Sequence, residues 1–361
     1  MSLQVHQVLV SASPGDAVTT AALELRPLLS LLGPSNIYAR YYAPELAGQV
    51  LPIGDYHQRP DRGPADLLVF HVSIGDADVA AFVAERTERL VLVYHNISPS
   101  EPFRPFDPAF ADLLDAGRAE LARLRDRTVL ALADSEYNAR ELEALGFGDV
   151  RVSPLVIDVG ALQGTEVDPA TDHHLNHVVE GPVFAYVGQL LPHKRPDLLL
   201  EAFYVLTTFL LPGANLVLVG PTRLRRYHHA LQHFVRELGL APSTWLTGYV
   251  TTAQLAAFYR RADVFVTASE HEGFCVPLVE SMAFGVPVIG RDHAAIPETL
   301  GGAGLLLPRD EDPVLMAEAM AAVATDGNLR GDLIERGRRR LERFDSERAS
   351  ARMLGHVLSV A

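Results

Sequence analysis

Short runs of valine, leucine, isoleucine and alanine alternate with longer amphipathic segments along most of the chain. In the first half these runs are VHQVLVSA, NIYARYYA, DLLVFHVS, RLVLVYHN and TVLALADS. Continuous apolar runs of this length are typical of strands buried on both faces, and their alternation with helical patterns indicates a parallel, doubly wound sheet. The first half is therefore predicted to be one α/β domain.

The alternation stops and then restarts in the second half. Pro, Gly, Asp and His accumulate in VRVSPLVIDVGALQGTEVDPATDHHLNHVVEGP, which predicts a linker. Beyond it lie PVFAYVGQ, ANLVLVGP, STWLTGYV, ADVFVTAS, PVIGRD and GAGLLLP, which predict a second α/β domain. We place the first domain with its linker at 1–165, the second at 166–345, and a C-terminal helix that packs back on the first domain at 346–361. Two such sheets in tandem predict a crevice where the carboxyl ends of both sets of strands meet.

The composition argues against several kinds of binding partner and covalent or metal site. A net charge of −14 over 361 residues argues against nucleic acid. The single cysteine, Cys275, excludes an internal disulfide and a cysteine-rich metal site. No run of about 18 apolar residues occurs, and the first residues lack a signal-peptide pattern. We expect a cytoplasmic protein that uses neither a metal nor a cofactor. The arginine-rich stretch at 338–340 could contact the inner face of a membrane peripherally. The alternative for this stretch is a helix face paired with acidic residues.

One loop combines carboxylates with a helix start. The sequence EHEGFCVPLVESMAFGVPVIG holds Glu272 in the loop and Glu280 about one turn inside the following helix. A proline in the first turn suits a helix start, and the amides of Phe274, Cys275 and Val276 are expected to be free to meet an anion. The two carboxylates then lie on either side of a phosphate position. Such an arrangement could hold the hydroxyl groups at both ends of a diphosphate, a ribose at one and a sugar at the other.

A second stretch carries an unusual cation. GQLLPHKRPDLLLEAF contains Lys194, the only lysine among 31 lysines and arginines. Lysine is a compact point charge on a flexible stem, whereas arginine is a planar fork. Lys194 follows a strand glycine and precedes a helix, where a site that puts one charge between phosphate oxygens could need a lysine; a lysine left by an arginine-biased composition is the alternative.

These motifs together resemble family-4 retaining glycosyltransferases of the GT-B fold. The resemblance covers nearly the whole chain, since VGQLLPHK, LTGYV with LAAFYRRADVFVTAS, YHNIS and LADSEYNARELEALGF accompany EGFCVPLVE in the family's order. It implies two Rossmann-like doubly wound parallel-sheet domains facing a central cleft. It also implies metal-independent transfer of a sugar, with retention, from a nucleotide-sugar donor to a hydroxyl of a glycan or lipid-linked acceptor. SEHEGFCVPL and YHNIS are similar to stretches of mannosyltransferases of bacterial polysaccharide assembly, which favours GDP-mannose and leaves a UDP-sugar open.

Carried over position by position, the resemblance implies roles for individual residues. The catalytic residues would be His95, which reaches the donor sugar from the acceptor domain, Lys194 at the phosphates and Glu272 at the sugar hydroxyls. Glu280 would bind both ribose hydroxyls, and the backbone at Tyr249 would meet the base. The donor-binding residues would be Gly188, Gln189, Lys194, Tyr249, Val250, Glu272, Gly273, Phe274, Cys275, Val276 and Glu280. The acceptor-side residues would be Gly15, Asp16 and Asn96.

Three departures from the family pattern keep alternatives open. Gln189 stands where arginine is usual, Cys275 stands where glycine is usual, and SPGD offers Gly15 and Asp16 where paired glycines are common. Asp16 also suits the cap of the first helix. A nucleotide-sugar epimerase or a glycosyl phosphorylase on the same fold is an alternative, and Gln189 favours a non-catalytic partner of a glycosyltransferase. The sequence leaves the oligomeric state open.

Overall fold

The computed structural model describes residues 3–58, 63–177, 179–310 and 312–361. Contacts divide the chain into two compact units, each with its own sheet. The first unit takes in the chain up to Arg104, Pro108–Ile157 and Phe344–Ala361. The second unit takes in Pro105–Asp107 and Asp158–Arg343.

The first unit is built on a seven-stranded sheet in which every neighbouring pair is parallel. Its strands are β1 Val5–Ala12, β2 Ile37–Tyr42, β3 Val50–Pro52, β4 Leu67–Val72, β5 Arg89–Tyr94, β6 Thr128–Ala133 and β7 Val150–Val152. They lie in the order β3-β2-β1-β4-β5-β6-β7. The helices along this part of the chain are α1 Ala17–Leu29, α2 Ala77–Ala84, α3 Pro108–Arg123 and α4 Glu136–Ala144.

The second unit has a six-stranded sheet, also parallel throughout. Its strands are β8 Val183–Val187, β9 Asn215–Val219, β10 Thr244–Gly248, β11 Val264–Val266, β12 Val288–Arg291 and β13 Leu305–Leu307. Their order is β10-β9-β8-β11-β12-β13. Its helices are α5 Val159–Gly164, α6 Pro169–His177, α7 Pro196–Val205, α8 Arg225–Glu237, α9 Thr252–Arg261, α10 Val276–Ala283, α11 Ile296–Leu300, α12 Pro313–Thr325 and α13 Gly327–Leu341. A π-helical turn, Leu206–Leu210, extends α7.

The last helix, α14 at Ser346–Leu358, belongs to the first unit. Its Met353 and Val357 are buried in one apolar cluster with Val5 of β1 and Leu25 of α1. Arg151 of β7 donates a hydrogen bond to Ser359 Oγ at 2.8 Å, just beyond the end of this helix. Burial of the apolar face and this polar contact together fix the C-terminal segment on the first sheet.

Every apolar run that predicts a strand contains one, so the prediction of two doubly wound parallel sheets is confirmed. The strands β3 and β7 were not predicted, because strands of three residues are too short to show a pattern. The stretch predicted as a linker contains α5 and α6. The apolar face of α5 is short, but the helix contacts α9 and α10 of the second unit.

The structure also shows the contacts of Asp16 and of the arginine-rich stretch at 338–340. Asp16 caps α1, because its carboxylate accepts from the Thr19 amide at 3.0 Å. On α13, Arg338 and Arg339 lie 3.8 and 3.7 Å from carboxylate oxygens of Glu335, as expected for an ion-paired helix face. Within the described ranges, no helix is both long enough and apolar enough to cross a membrane.

Candidate functional site

The loop from β11 to α10 places a strained residue at the start of the helix. Cys275 is the N-cap of α10, with a left-handed backbone at φ 71° and ψ 69°. This conformation ends the loop abruptly, so the chain enters the helix at Val276 with Pro277 in the first turn. In the described part of the chain the amides of Cys275 and Val276 donate to no protein acceptor. The helix start therefore presents two amides that an anion can use.

Lys194 and Glu272 form an ion pair beside this helix start. Lys194 ends a short 3-10 turn, Pro192–Lys194, that follows β8, and Glu272 lies in the loop after β11. Lys194 Nζ is 2.5 Å from Glu272 Oε2, and the two side chains are only 17% and 10% exposed. The structure thus joins two of the predicted catalytic residues. A ligand diphosphate would compete with Glu272 for the ammonium group.

Two arginines near Lys194 are held by a different carboxylate. Arg195 contacts Glu270 at 2.5 Å and Asp197 at 3.0 Å. Arg291, 1% exposed, lies 3.8 Å from Glu270 and donates to the Ala268 carbonyl at 2.9 Å. Glu270 therefore offsets both guanidinium groups, whereas Lys194 has Glu272 as its partner.

Gln189 lies at the position where the family resemblance leads one to expect arginine. Its carbonyl accepts from Tyr186 Oη at 3.3 Å, but its side-chain amide forms no hydrogen bond with any residue that the structure describes. The preceding Gly188 has φ 148°, and a Cβ there would lie 2.9 Å from Tyr186 Oη. Glycine is therefore required for the turn after β8, and Gln189 supplies donors without charge.

Glu280 lies one turn inside α10 and is positioned by a tyrosine of α9. Tyr259 Oη donates to Glu280 Oε2 at 2.6 Å, and the Tyr259 ring stacks on Phe284 at 5.3 Å. Burial and the neighbouring carboxylate raise the pKa of Tyr259 well above its usual range, so its hydroxyl keeps its proton. Burial also raises the pKa of Glu280, and the Tyr259 hydroxyl acts against that shift. Glu280 Oε1 has no hydrogen-bond partner among the described residues, which suits a carboxylate that receives ligand hydroxyls.

The predicted base position lies between β10 and α9. The ladder of β10 ends at Gly248, and the next residue, Tyr249, has a side chain that is 62% exposed. No described acceptor receives the amides of Tyr249 or Val250. This backbone can therefore meet the edge of a planar ligand, which is the role that the family resemblance implies for the base.

In the first unit, the predicted residues lie near the carboxyl ends of β1 and β5. His95 follows β5 directly, and its ring is 4% exposed. Both of its ring nitrogens contact side chains of the same unit, Asp134 and His71. Asn96, with φ 78°, donates to Glu141 Oε2 at 2.8 Å.

Gly15, with φ 72°, precedes the capping residue Asp16 in the loop after β1. The structure thus gives Asp16 a helix-capping contact. Its acceptor-side role, like those of Gly15 and Asn96, stays a prediction.

Four residues that were not predicted contact the predicted ones or balance a neighbouring charge. They are His71, Asp134, Tyr259 and Glu270. The signals were weak, because His71 lies within a strand, Asp134 and Glu270 lie in loops after strands, and Tyr259 lies within an ordinary amphipathic helix. Only their contacts in the fold show that they pair with His95, Glu280 and the arginines.

Cys275 gives a test of the strained helix start. We expect Cys275→Gly to be more stable than Cys275→Ala by about 1–2 kcal/mol, since alanine keeps a Cβ in the left-handed region and glycine does not. Urea unfolding of both variants measures the difference. An alanine variant as stable as the glycine variant would show that the left-handed backbone costs nothing here. Burial and Glu272 raise the pKa of the Cys275 thiol well above its usual range, so it stays protonated in the native protein.

Residues 169–340 match the family Glycosyl transferases group 1. The chain is 30% identical over 250 residues to a D-inositol 3-phosphate glycosyltransferase of Kineococcus radiotolerans, covering 63% of this chain and 56% of that protein. It is 37% identical over 129 residues to a GDP-mannose-dependent alpha-mannosyltransferase of Mycolicibacterium smegmatis, covering 35% of this chain and 30% of that protein. The chain thus spans about half the length, or less, of these curated relatives.

One solved structure aligns with nearly the whole chain. Anabaena HepE in complex with UDP-glucose superposes with a TM-score of 0.75 at 17% sequence identity, covering 99% of this chain and 100% of that one. At this identity the likeness establishes the arrangement of strands and helices only. The segment 169–340, which holds every predicted donor-side residue, therefore matches the glycosyl transferases group 1 family, within a chain of GT-B fold.

Proposed function

We propose that this protein transfers a sugar from a nucleoside diphosphate sugar to a hydroxyl of a glycan or lipid-linked acceptor, with retention at the anomeric carbon and without a metal. The observation that carries the proposal is the grouping around the start of α10. Lys194, two amides that donate to no described acceptor, and Glu272 lie together there, and Glu280 keeps one carboxylate oxygen without a described partner. This set matches the parts of a diphosphate with a polyhydroxyl group at each end.

In the proposed reaction the protein acts mainly by stabilising the charge that develops on the leaving diphosphate. The bond from the anomeric carbon to the phosphate oxygen breaks, the acceptor oxygen bonds to that carbon, and the acceptor's proton passes to the leaving phosphate. Charge therefore develops on the diphosphate, where Lys194 and the amides of Cys275 and Val276 can stabilise it. Glu272, released from Lys194 by the diphosphate, becomes free to accept hydroxyl groups of the sugar.

GDP-mannose is the donor that we favour. The Mycolicibacterium smegmatis relative is named for GDP-mannose and shares 37% identity over the matched segment. A UDP-sugar is the second candidate, because the HepE structure was solved with UDP-glucose. The two differ at the base, where the described chain offers backbone amides at Tyr249 and Val250.

A thermal-shift panel of GDP-, UDP- and ADP-sugars tests the donor class. A donor present at 100 times its Kd adds about 2.7 kcal/mol of stability to the unit that binds it. For a unit of this size we expect a rise of about 5–10 °C in its melting temperature. The matching free sugar and nucleoside are the controls. If no nucleotide sugar raises the melting temperature, the proposed donor site is wrong.

Product analysis separates the proposal from the other enzymes that the fold allows. With the bound donor and an acceptor panel, we expect release of nucleoside diphosphate together with a glycosylated acceptor. An epimerised nucleotide sugar would instead indicate an epimerase, and a phosphate requirement with a sugar phosphate product would indicate a phosphorylase. Donor binding without any product would favour the non-catalytic partner.

A further inference from the structure

A hydrogen-bond network crosses the buried strands of the first unit and passes through His95. His95 Nδ1 lies 2.8 Å from Asp134 Oδ2, and His95 Nε2 lies 2.8 Å from His71 Nδ1. His71 Nε2 lies 2.8 Å from Gln7 Oε1. Gln7 Nε2 in turn donates to the Ala22 carbonyl of α1 at 3.0 Å. The network thus links β1 and β4 with the residues that follow β5 and β6.

The side chains of this hydrogen-bond network are buried together. Gln7 is 0% and His71 2% exposed, and the side chains of His95 and Asp134 are 4% and 3% exposed. The two imidazole rings are parallel within 2°, with their centroids 5.2 Å apart. Each contact must therefore join one donor to one acceptor, since an unmatched polar pair in such a place is costly.

The number of protons that the His71 and His95 rings and Asp134 must share follows from the acceptors at the two ends of the network. The Ala22 carbonyl can only accept, so Gln7 turns its amide nitrogen to it and its oxygen to His71. That oxygen also only accepts, so His71 Nε2 must carry a proton. The two remaining contacts, from His71 to His95 and from His95 to Asp134, need one proton each. Two neutral imidazoles beside an ionised carboxylate hold two protons, whereas the contacts require three.

The extra proton belongs on His95 rather than on its neighbours. Burial, together with the adjacent His95, holds the pKa of His71 well below its usual range, so His71 is neutral. A free carboxyl group is the stronger acid, by about 2.6 pH units relative to imidazole. Asp134 Oδ1 has no partner among the residues described, so a cation on His95 is what balances this buried carboxylate.

We propose that Gln7, His71 and Asp134 are positioning residues that hold His95 as a doubly protonated imidazolium, a fixed positive group that cannot act as a base. The link to sugar transfer rests on the proposed function, but the proton count does not. Asp134 and His71 are the titratable groups that contact His95 within the described ranges. A ring with a proton on each nitrogen has no lone pair for the acceptor's proton, which must then go to the leaving phosphate.

Nitrogen NMR of the full-length protein labelled with ¹⁵N-histidine tests the proton count directly. The spectrum is recorded at about pH 7.5, above the value of about 6.5 at which an exposed histidine loses its second proton. We expect two protonated nitrogens on His95, and on His71 a protonated Nε2 with an unprotonated Nδ1. The His95→Gln spectrum assigns the signals. A singly protonated His95 in the wild-type protein overturns the proposal.

Asp134→Asn tests the role of the carboxylate. The amide can donate to His95 Nδ1 through its nitrogen and supplies no negative charge, so one proton on His95 Nε2 completes the contacts and we expect His95 to become singly protonated. Asp126→Asn is the matched control, because Asp126 pairs with Arg125 on the surface, and it should leave the His95 signals unchanged. A doubly protonated His95 in a folded Asp134→Asn variant shows that the carboxylate does not hold the proton. If this variant fails to fold, the wild-type spectrum still decides the proton count.

The pH profile separates this inference from the proposed function. If His95 is held as an imidazolium, kcat/KM of the wild-type enzyme shows no fall caused by protonation of His95 from about pH 7.5 to about pH 6. Such a fall, present in the wild type and absent from the His95→Gln variant, identifies His95 as a base and overturns the inference. If no nucleotide sugar is turned over at all, the proposed function is wrong, and the NMR result still stands or falls by itself.

Discussion

Replacing Lys194 by alanine is expected to slow sugar transfer by about 10²–10³-fold. Among the described residues the ammonium group has Glu272 alone as its carboxylate partner, and Glu272 lies in the loop that leads to the start of α10. Arg195 and Arg291 cannot readily replace it, because both contact Glu270. Gln189 adds hydrogen-bond donors without a charge. Steady-state release of nucleoside diphosphate, with kcat and KM determined separately, measures the loss.

The loss should fall on kcat more than on KM. A charge that stabilises the departing diphosphate acts more strongly in the transition state than on the bound donor, so removing it lowers kcat. Lys194→Arg keeps a charge in a planar, bulkier form and should retain more activity than the alanine variant. Arg338→Ala, on the exposed face of α13, is the control for removing one positive charge. Near wild-type turnover by Lys194→Ala would refute the phosphate role.

Stability must be separated from activity in this experiment. Lys194→Ala leaves the carboxylate of Glu272, 10% exposed, without its ion-pair partner, which destabilises the second unit. Adding Glu272→Gln removes that charge and should recover part of the lost free energy of unfolding. The double variant should nevertheless remain inactive. Recovery of turnover together with stability would mean that the alanine variant fails only because it unfolds.

The architecture was predictable because it rests on short-range patterns. Runs such as DLLVFHVS and ADVFVTAS are apolar throughout, and buried parallel strands require that pattern regardless of what each strand meets. The helix start after Glu272 was predictable for a similar reason, since a proline in the first turn and a preceding loop act locally. The two strands of three residues, β3 and β7, carry too few positions to show any period.

The pairing of side chains was not predictable in the same way. Lys194 and Glu272 are 78 positions apart, and His71 and His95 are 24 apart, so only the order of strands in each sheet brings them together. The sequence singled out Gln189 as the loss of a second charge at the phosphates. It could not show that Glu270 holds the two neighbouring arginines, because a loop glutamate beside a strand has no distinctive spacing.

Glu280→Gln is expected to weaken binding of the nucleoside diphosphate by about 10–10²-fold. Hydrogen bonds to a charged group contribute about 1.5–3 kcal/mol, and a neutral amide both loses the charge and places a donor where an acceptor is needed. The effect should depend on the ribose. The wild type should bind a ribonucleoside diphosphate more tightly than its 2′,3′-dideoxy form, and Glu280→Gln should remove most of that preference. Calorimetric Kd values for both ligands measure it.

Tyr259→Phe tests how Glu280 is held ready for the ribose. The tyrosine hydroxyl donates to Oε2 and opposes the rise in the pKa of Glu280 that burial causes. Without that hydroxyl the pKa of Glu280 rises further, and a carboxyl group takes up its proton as the pH falls below its pKa. The variant should therefore lose its ribose preference at a higher pH than the wild type does. Tyr204→Phe, an exposed tyrosine of α7, is the matched control.

The results for Glu280→Gln and Tyr259→Phe distinguish the ribose role of Glu280 from the positioning role of Tyr259. A wild-type protein that binds the ribo and dideoxy ligands equally well contradicts the ribose role of Glu280 altogether. If the wild type discriminates and the Tyr259→Phe variant has the same preference and the same pH dependence, Glu280 keeps its ribose role and Tyr259 does not support it. Because Glu280 Oε1 has no described partner, we expect that oxygen alone to keep part of the preference in the tyrosine variant at high pH. The ribose preference of Tyr259→Phe should then lie between those of the wild type and Glu280→Gln.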